Sequence, residues 1–218
     1  MADNNFKHDL FSHFARIGKA LGSANRLELQ EYIAQGERCV EELARVSGLT
    51  VANTSQHLQQ LRQASLVASR KEGLKVYYSL SSNDVIELLA VLRAVAERHI
   101  ADVDRLVNTY LTVKDDLEPV PRDELLERVR TGLVSVIDVR PEEEFKAGHI
   151  PGAVNVRLAE LEEHIDKLNP QQEIVAYCRG PHCILAFEAV ARLRKRDLHA
   201  RRLEDGFPEW KAEGLPVE

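Results

Sequence analysis

The spacing of hydrophobic residues divides the chain into two halves with different periodicities. Over residues 1–112 apolar side chains recur mainly at steps of three and four, as they do on helices. Over residues 122–218 short apolar runs alternate with helical segments, a pattern typical of an α/β domain with a mostly parallel sheet. The segment between them is rich in proline and charge. The pattern therefore predicts two domains, 1–114 and 122–218, joined by a linker at 115–121.

The first half contains a pattern that predicts a helix-turn-helix. A short helix is expected at 40–46 and a longer one at 51–64, with a turn at Ser47-Gly48 between them. After them, two short strands at 66–70 and 76–80 are expected to form a hairpin. The first half is therefore predicted to be mainly α-helical, with a single β hairpin.

The longer helix of this motif has a polar face with little charge. Its apolar residues Val51, Leu58 and Leu61 are expected to face the core. Its outward residues are expected to be Asn53, Thr54, Ser55, Gln56, His57, Gln59 and Gln60. Asn and Gln read base edges with two hydrogen bonds, and Ser or Thr binds bases or phosphates, so this face suits a DNA recognition helix. A solvated helix face is the alternative interpretation.

Basic residues at the hairpin tip extend this candidate DNA surface. Arg70, Lys71 and Lys75 are placed to bind phosphates. The sequence SQHLQQLRQASLVASRKEGLKVYYSL, from Ser55 to Leu80, resembles the recognition helix and wing of ArsR/SmtB-type repressors. The resemblance implies a winged helix-turn-helix homodimer that binds double-stranded operator DNA and releases it on sensing a metal, a metalloid or reactive sulfur.

Apolar residues at steps of three and four also predict one long helix at 84–112. Such a helix is longer than a small domain needs to cover itself, so its apolar stripe is expected to be the homodimer interface. A dimer also presents two recognition helices to two DNA half-sites.

The metal sites of this family are incomplete in the chain. Metalloid-sensing relatives carry Cys-Val-Cys in the first helix of the motif, whereas this chain has Cys39-Val40-Glu41. A single thiolate is a poor site for a soft metal, and the predicted long helix lacks the spacing of paired zinc ligands. We therefore expect no preformed metal site. Cys39 is either a structural residue or a redox-active sensor thiol.

In the second half, an apolar strand runs directly into a loop with two cysteines. Residues 174–177 precede Cys178, and a helix is expected to begin after Cys183. Loop N–H groups at a helix N-terminus favour a thiolate or persulfide, and Arg179 adds a positive charge. Periodicity alone equally allows a small buried cysteine at a strand end.

Four motifs in this order resemble the rhodanese, or sulfurtransferase, domain over residues 119–218. They are DVR at 138–140, GHIPGAVN at 148–155, YCRGPHC at 177–183 and GFPEW at 206–210. The resemblance implies that Cys178 takes sulfane sulfur from a donor and passes it to a thiol acceptor. The only sulfur carrier would be a transient persulfide on Cys178, so no bound cofactor is expected.

The resemblance also assigns roles around the loop. The candidate catalytic residues are Cys178, Arg179, Gly180, Pro181, His182 and Cys183, with the N–H groups of 179–183, Pro181 excepted, as the anion site. Asp138 and Arg140 are expected to support the loop through an ion pair. Cys183 either resolves the persulfide as a disulfide or is a buried residue at the start of a helix. His182 is either a functional side chain or a turn residue.

Charge and composition bear on DNA binding and on the cellular compartment. The net charge is −6 and lies mainly in the second half, so the first half can still present a basic face to DNA. Three cysteines are too few for a disulfide framework, which suits a reducing compartment. The N-terminus is polar and no apolar run is long enough to span a membrane, so a cytoplasmic protein without a membrane partner is expected.

Together, the two halves predict a DNA-binding transcriptional regulator, of the repressor type, whose rhodanese domain links reactive sulfur to gene expression. Sulfurtransferase activity would then proceed through Cys178. Two alternatives remain open. One is a thiosulfate or persulfide sulfurtransferase whose helix-turn-helix only regulates its own operon. The other is a repressor that responds to arsenic or a metal through Cys178 and Cys183.

Overall fold

The computed structural model describes residues 2–112, 117–165, 168–169 and 171–218, without the side chains of 2–4 and 112. The chain forms two compact units, Met1–Leu89 and Ala90–Glu218. The sequence places the domain boundary near residue 115. The compact units thus divide earlier, inside a helix, and the segment before the predicted linker belongs to the second unit.

The first unit is built mainly from helices, and its helix-turn-helix follows the predicted bounds closely. The helices are α1 (Ala2–Leu21), α2 (Ala24–Ala34), α3 (Val40–Ser47) and α4 (Val51–Gln63). Gly48 follows α3 at φ +71°, a left-handed conformation that favours glycine. The Thr50 hydroxyl then accepts a hydrogen bond from the Asn53 N–H at 3.2 Å and caps α4.

A three-stranded antiparallel sheet completes the first unit. Its strands are β1 (Arg38–Cys39), β2 (Val67–Glu72) and β3 (Lys75–Leu80), in the order β1-β3-β2. The predicted hairpin is confirmed, but its strands extend further towards the tip than the sequence suggested. Only Gly73, at φ +60°, and the fully exposed Leu74 remain as the turn.

Two sequence expectations for α4 are wrong. Val51 is 51% exposed, whereas Thr54 is completely buried and its hydroxyl donates to the Thr50 carbonyl at 3.0 Å. Thr54, Leu58 and Leu61 follow one another at steps of four and three, so they form the buried stripe of the helix. Thr54 therefore belongs to the core and not to the outward face.

The predicted continuous helix 84–112 is also wrong. Three segments occupy this range, α5 (Asp84–His99), α6 (Ala101–Val107) and a π-helical segment (Asn108–Thr112). Ile100 between the first two has φ −111° and ψ 101°, and its carbonyl accepts the N–H of Val103 at 2.9 Å. An extended residue cannot continue the α-helical ladder, so one helix ends and another begins there.

The second unit contains a four-stranded parallel sheet, as predicted. Its strands are β4 (Val134–Asp138), β5 (Val154–Asn155), β6 (Glu173–Tyr177) and β7 (Ala200–Arg202), in the order β5-β4-β6-β7. The remaining helices are α7 (Arg122–Arg130), α8 (Glu142–Lys146), α9 (Leu161–Ile165), α10 (Ile184–Arg194) and α11 (Phe207–Ala212). Helices and strands alternate, so the predicted α/β class is confirmed.

The predicted linker is only partly described, since residues 115–116 lie outside the described ranges. Its last part is not a free connection. Val120 is completely buried and forms a parallel bridge with Leu203, with its N–H donating to the Arg202 carbonyl at 2.8 Å. Val120, inside the predicted linker 115–121, therefore lies at the edge of the sheet.

The two faces of this sheet carry separate apolar clusters. Ile174, Ala176 and Val190 lie in one cluster, and Val175 and Trp210 lie in the other. Alternate residues of β6 thus face opposite sides, as strand geometry requires. None of the helices in the described part of the chain has the length and apolar character needed to cross a membrane.

Candidate functional site

The loop Cys178–Cys183 connects the end of β6 to the start of α10. Parallel strands direct their carboxyl ends to one edge of the sheet, which is where ligands of α/β folds commonly bind. Cys178 is 1% exposed, and its Sγ is joined to that of Cys183 in a disulfide with the Cα atoms 6.1 Å apart. The structure thus places the two loop cysteines within bonding reach, as the disulfide interpretation of Cys183 requires.

The GFPEW segment packs directly on this loop. The Phe207 N–H donates to the Cys178 carbonyl at 3.0 Å. A Cβ on Gly206 would overlap the carbonyl group of Arg179 and the backbone nitrogen of Gly180. Both are backbone atoms, so only glycine allows this close approach. The motif therefore fixes the position of the loop.

The loop uses one of its own N–H groups internally. The Cys183 N–H donates to the Gly180 carbonyl at 3.1 Å, and the Cys183 carbonyl accepts the Ala186 N–H at 3.1 Å. Pro181 has no N–H. The anion site expected from the N–H groups of 179–183 is therefore smaller than the sequence suggested, because the Cys183 donor is already engaged.

The positive charge of Arg179 is paired with a carboxylate outside the loop. Its guanidinium binds both oxygens of Glu144 on α8, at 2.8–3.1 Å, and Glu144 is 1% exposed. A bidentate pair of this kind neutralises the positive charge locally. The sequence predicts that Arg179 adds a positive charge beside Cys178. Glu144, 35 residues earlier in the chain, was not expected as its partner.

Asp138 and Arg140 form the ion pair that the sequence predicted. Both side chains are completely buried, and the Arg140 Nη2 donates to Asp138 Oδ2 at 2.6 Å. The same nitrogen donates to the Gly148 carbonyl at 2.8 Å, and the guanidinium lies 4.1 Å from the centre of the Phe207 ring. The pair thus connects the end of β4, the GHIPGAVN motif and α11.

The second half of α5 contacts the same loop, which the sequence did not predict. Glu97 Oε1 lies 2.9 Å from His182 Nε2. Arg93 forms an ion pair with the buried Glu209 of α11, and its Nη1 is 3.9 Å from the place where a Cβ on Gly180 would lie. Burial lowers the pKa of His182, Arg93 lowers it further, and Glu97 opposes that shift. His182 therefore has a defined partner on α5.

A pocket of about 470 Å³ lies beside the loop. Apolar residues in its wall are Ala90, Ala94, Val107, Pro119, Pro181 and Phe187. Charged or titratable residues there are Arg93, Glu97, Asp104, His182, Arg202, Glu204 and Asp205. Because both charge signs are present, this pocket suits a small polar molecule better than an apolar one.

Cys39 has a structural position in the first unit. It is completely buried at the start of α3, and its N–H donates to the Glu42 carboxylate at 3.2 Å. Burial raises the pKa of the Cys39 thiol, which keeps it in the neutral, unreactive form. The structure thus favours the structural interpretation of Cys39 over the sensor thiol.

The polar face of α4 is available over part of its predicted extent. Asn53, Gln56, Gln59 and Gln60 are exposed, Ser55 and His57 are partly buried, and Thr54 is buried. The Gln60 Oε1 accepts a hydrogen bond from Arg26 at 2.6 Å, and His57 Nε2 lies 3.4 Å from Asn25 Nδ2. The side chains most open to a base edge are therefore Asn53, Gln56 and Gln59.

At the wing, two of the three predicted cations remain open. Lys71 and Lys75 are exposed beside the turn. Arg70, in contrast, forms ion pairs with Glu37 and Glu72, and these carboxylates raise its pKa further. Arg70 therefore supports the wing through these pairs. Lys71 and Lys75 are better placed to contact DNA phosphates.

Metal ligands do not cluster in the described part of the chain. No group of three or more His, Cys, Asp or Glu side chains there is arranged to bind a metal ion.

Comparisons with known proteins match the two halves of the chain to two different families. Residues 23–69 match the family model for bacterial regulatory proteins of the arsR family, and residues 121–213 match the model for the rhodanese-like domain. The HTH-type transcriptional regulator Rv0324 of Mycobacterium tuberculosis is 42% identical over 212 residues. That alignment covers 97% of this chain and 93% of the relative.

Solved structures match each half separately. The homodimeric winged helix-turn-helix domain of Mb0332 from Mycobacterium bovis is 39% identical, with a TM-score of 0.41, over 43% of this chain and 87% of its own. A rhodanese-related protein from Thermoplasma volcanium is 25% identical, with a TM-score of 0.42, over 47% of this chain and 98% of its own. Given the full-length match to the mycobacterial regulator, the chain belongs to the ArsR family of bacterial transcriptional regulators and carries a rhodanese-like domain in its second half.

Proposed function

We propose that the protein is a cytoplasmic, homodimeric repressor whose rhodanese-like domain reports reactive sulfur to the DNA-binding domain. The observation that carries this proposal is the disulfide between Cys178 and Cys183 in one short loop. A cysteine that accepts sulfur and a second one within bonding reach form a chemical switch with distinct thiol, persulfide and disulfide states.

The sulfur chemistry requires two balanced steps. In the first, the Cys178 thiolate attacks the outer sulfur of thiosulfate, the S–S bond of the donor breaks, and sulfite leaves with its electron pair. In the second, the Cys183 thiolate attacks Sγ of the Cys178 persulfide, and the outer sulfur leaves as hydrosulfide. A small thiol can compete in the second step and take the outer sulfur instead.

The first unit supports DNA binding through α4 and the wing. Asn53, Gln56 and Gln59 are exposed and can hydrogen-bond to base edges, and Lys71 and Lys75 can bind phosphates. The protein has to be a dimer to bind both half-sites of a double-stranded operator. In this proposal the exposed side chains select the operator sequence. The chemical state of the Cys178–Cys183 loop determines whether the protein stays bound to it.

Exposed apolar surface on α1 and α5 supports a homodimer. Phe11 and Phe14 on α1 are each 57% exposed, and Val91 and Val95 on α5 are 60% and 45% exposed. Large apolar side chains repeated along helices are characteristic of surfaces that a partner covers. We propose a second copy of the chain as that partner. α5 forms the first part of the range 84–112 in which the sequence predicts the interface, and α6 after Ile100 is a separate helix.

Mass spectrometry of thiosulfate-treated, pre-reduced protein tests the sulfur chemistry. We expect sulfite release and a disulfide in the wild type. We expect a lasting persulfide on Cys178 in Cys183→Ser, because the resolving thiol is missing. Cys178→Ser should give neither product. A lack of persulfide in Cys183→Ser would contradict the proposed chemistry.

A sulfurtransferase that only regulates its own operon is the second candidate. The polar pocket beside the loop favours it, since a diffusible acceptor could bind there. It predicts repeated turnover with a small thiol and an operator affinity that is the same in all loop states. A change in operator affinity that follows the state of Cys178 would favour the regulator instead.

A further inference from the structure

The arginine inside the loop is not available to an anion at Cys178. Arg179 is held by Glu144 through two oxygens at 2.8–3.1 Å. The last loop position is Cys183, which carries no positive charge. Any full positive charge beside a sulfur anion would therefore come from another element of the fold.

Helix α5 carries an arginine, Arg93, whose guanidinium lies near the loop. The Arg93 Nη1 lies 3.9 Å from the Cβ position built on Gly180, so the guanidinium lies against the loop backbone. The Arg93 side chain is 31% exposed. Its Nη2 forms an ion pair with Glu209, whereas Nη1 has no hydrogen-bond or ion-pair partner among the described residues. One end of the guanidinium is therefore anchored, and the end near the loop can bind an anion.

The anchor of Arg93 is itself part of the loop's support. Glu209 is 6% exposed, and its Oε2 accepts the Gly206 N–H at 3.2 Å. Gly206 in turn packs on the backbone of Arg179 and Gly180. Arg93 is thus positioned by the same segment that positions the loop.

A second contact lies one helical turn further along α5. Glu97 pairs with His182 at 2.9 Å, so the helix contacts the loop at two points. Among the described residues, Glu144 from α8 and Arg202 from β7 also act on loop residues, and the charge of Arg93 also acts on Asp205. Among these, Glu144 pairs with Arg179 and Glu97 contacts His182, and Arg202 acts on His182.

We propose that Arg93 is a positioning residue for the sulfur chemistry, and that its guanidinium stabilises Cys178 as a thiolate and then as a persulfide anion. This inference rests on the function proposed for the same loop. No bond forms or breaks at Arg93, since arginine stays protonated and acts by charge. In the disulfide state Cys178 is neutral, so Arg93 can act on a sulfur anion there only when the disulfide is absent.

The rate of Cys178 alkylation as a function of pH tests this role. The experiment uses the full chain with Cys183→Ser, iodoacetamide as the probe, and peptide mass spectrometry to separate Cys178 from Cys39. Arg93→Met should raise the thiol pKa by about one unit and slow alkylation near pH 7 by up to about tenfold. Arg93→Lys should restore part of the rate. Arg98→Met, an exposed position on the same helix, is the matched control and should leave the profile unchanged.

A second variant gives a shift of opposite sign. Glu209→Gln removes the negative charge that pairs with Arg93 and can still accept the Gly206 N–H, so it should lower the thiol pKa and speed alkylation. A general loss of structure would not produce opposite shifts in these two variants. Identical pH profiles for the wild-type and Arg93→Met loops, in proteins with the same circular dichroism, would overturn the inference.

The outcome is separable from that of the proposed function, because alkylation reports the thiol and not sulfur transfer. If thiosulfate gives no persulfide while Arg93→Met still shifts the profile, the proposed function fails and the role of Arg93 stands. If persulfide forms and the alkylation profile does not depend on Arg93, the proposed function stands and the role of Arg93 fails.

Discussion

At the scale of single residues, buried ion pairs define the surroundings of the Cys178 loop. Three arginines each bind a carboxylate that is at most 6% exposed: Arg140 with Asp138, Arg179 with Glu144, and Arg93 with Glu209. A buried carboxylate without its cation is strongly unfavourable, so each pair fixes one side of the loop. The loop is therefore positioned by charge as well as by apolar packing.

Asp138→Asn should destabilise the second unit strongly. The substitution leaves the fully buried Arg140 guanidinium without a counter-charge, and breaking a buried pair typically costs about 3–5 kcal/mol of unfolding free energy. Urea denaturation followed by circular dichroism measures this loss. Glu160→Gln, which breaks an exposed pair with Arg157, is the matched control and should stay close to the wild type. Equal, small losses for both variants would contradict the role given to the buried pair.

Gly206→Ala should displace the loop because the new Cβ would overlap the backbone of Arg179 and Gly180. Overpacking of this kind typically costs about 1–3 kcal/mol. We expect a lower thermal midpoint and a changed rate of Cys178 alkylation in the reduced protein, with the helical content retained. A wild-type midpoint and alkylation rate would show that the close approach at Gly206 has no importance for the loop.

Cys39 should make stability depend on pH in alkaline solution. Burial raises its pKa in the folded chain, so the unfolded chain ionises first. The stabilising contribution is complete below the pKa of the unfolded thiol, about 8.5, and is lost as the pH rises through the folded value. Alkylation at a pH of about 8.5 should therefore label Cys39 more slowly in the folded protein than in the unfolded chain. Labelling of Cys39 at the rate of an unfolded peptide would contradict its burial.

Residue roles were predictable where the partners are close in sequence. Asp138 and Arg140 lie two positions apart at a strand end, and their ion pair was expected. The partners of Arg179 and His182 come from α8 and α5, so only the folded chain reveals them. Thr54 was misassigned because threonine is polar, although its hydroxyl is satisfied by the helix backbone and can be buried.

At the scale of elements, α5 carries two different faces. Ala90, Arg93, Ala94 and Glu97 line the pocket beside the loop. Leu88, Val91, Leu92 and Val95 lie on the other side and are 36–60% exposed. Successive residues on a helix are about 100° apart, which separates these two sets of positions. One face of the helix thus contacts the Cys178–Cys183 loop, and the opposite face is left open for a second subunit.

The break after α5 was not predicted, although the sequence contains a signal for it. Arg98 and His99 end α5, and Asp102 and Asp104 begin α6. Basic residues favour a helix C-terminus and acidic residues a helix N-terminus. The apolar repeat alone continues through Ile100 and therefore predicted a single helix. By contrast, α3 and α4 were predicted correctly because Gly48 and Thr50 separate them.

Recognition by α4 should depend on the exposed glutamines. The double variant Gln56→Ala, Gln59→Ala should weaken operator binding by about 1–3 kcal/mol for each glutamine that hydrogen-bonds to a base edge, without a change in thermal stability. Fluorescence anisotropy with operator DNA measures the effect. Gln63→Ala, at the far end of the same helix, is the matched control. A loss of affinity in the control equal to that in the double variant would argue against readout by this face.

At the scale of the whole molecule, a helix-turn-helix and a rhodanese-like domain belong to one regulator. The domain types followed from the order of short motifs along the chain. The bounds of the compact units could not be derived in this way. The second unit begins inside α5 and includes Val120. Contacts between residues far apart in sequence set these boundaries, and hydrophobic periodicity does not record them.

Dimerisation should require the exposed apolar face of α5. Val91→Glu places a charge on a side chain that is 60% exposed in the single chain, and it should convert a dimer to a monomer in light scattering after gel filtration. Val154→Glu is a matched control in the second unit, where the valine is 53% exposed. A dimer that persists in Val91→Glu would place the interface elsewhere.

Operator affinity as a function of the loop state tests the coupling of sulfur chemistry to DNA binding most directly. The full-length protein is reduced, divided, and treated with thiosulfate or buffer, and each sample is checked by mass spectrometry before anisotropy with operator DNA. We predict that treatment changes the operator Kd of the wild type. We also predict that Cys178→Ser binds DNA normally but shows no change. The same Kd in the reduced and the thiosulfate-treated wild type, with the treated loop verified as persulfide or disulfide, would contradict the coupling.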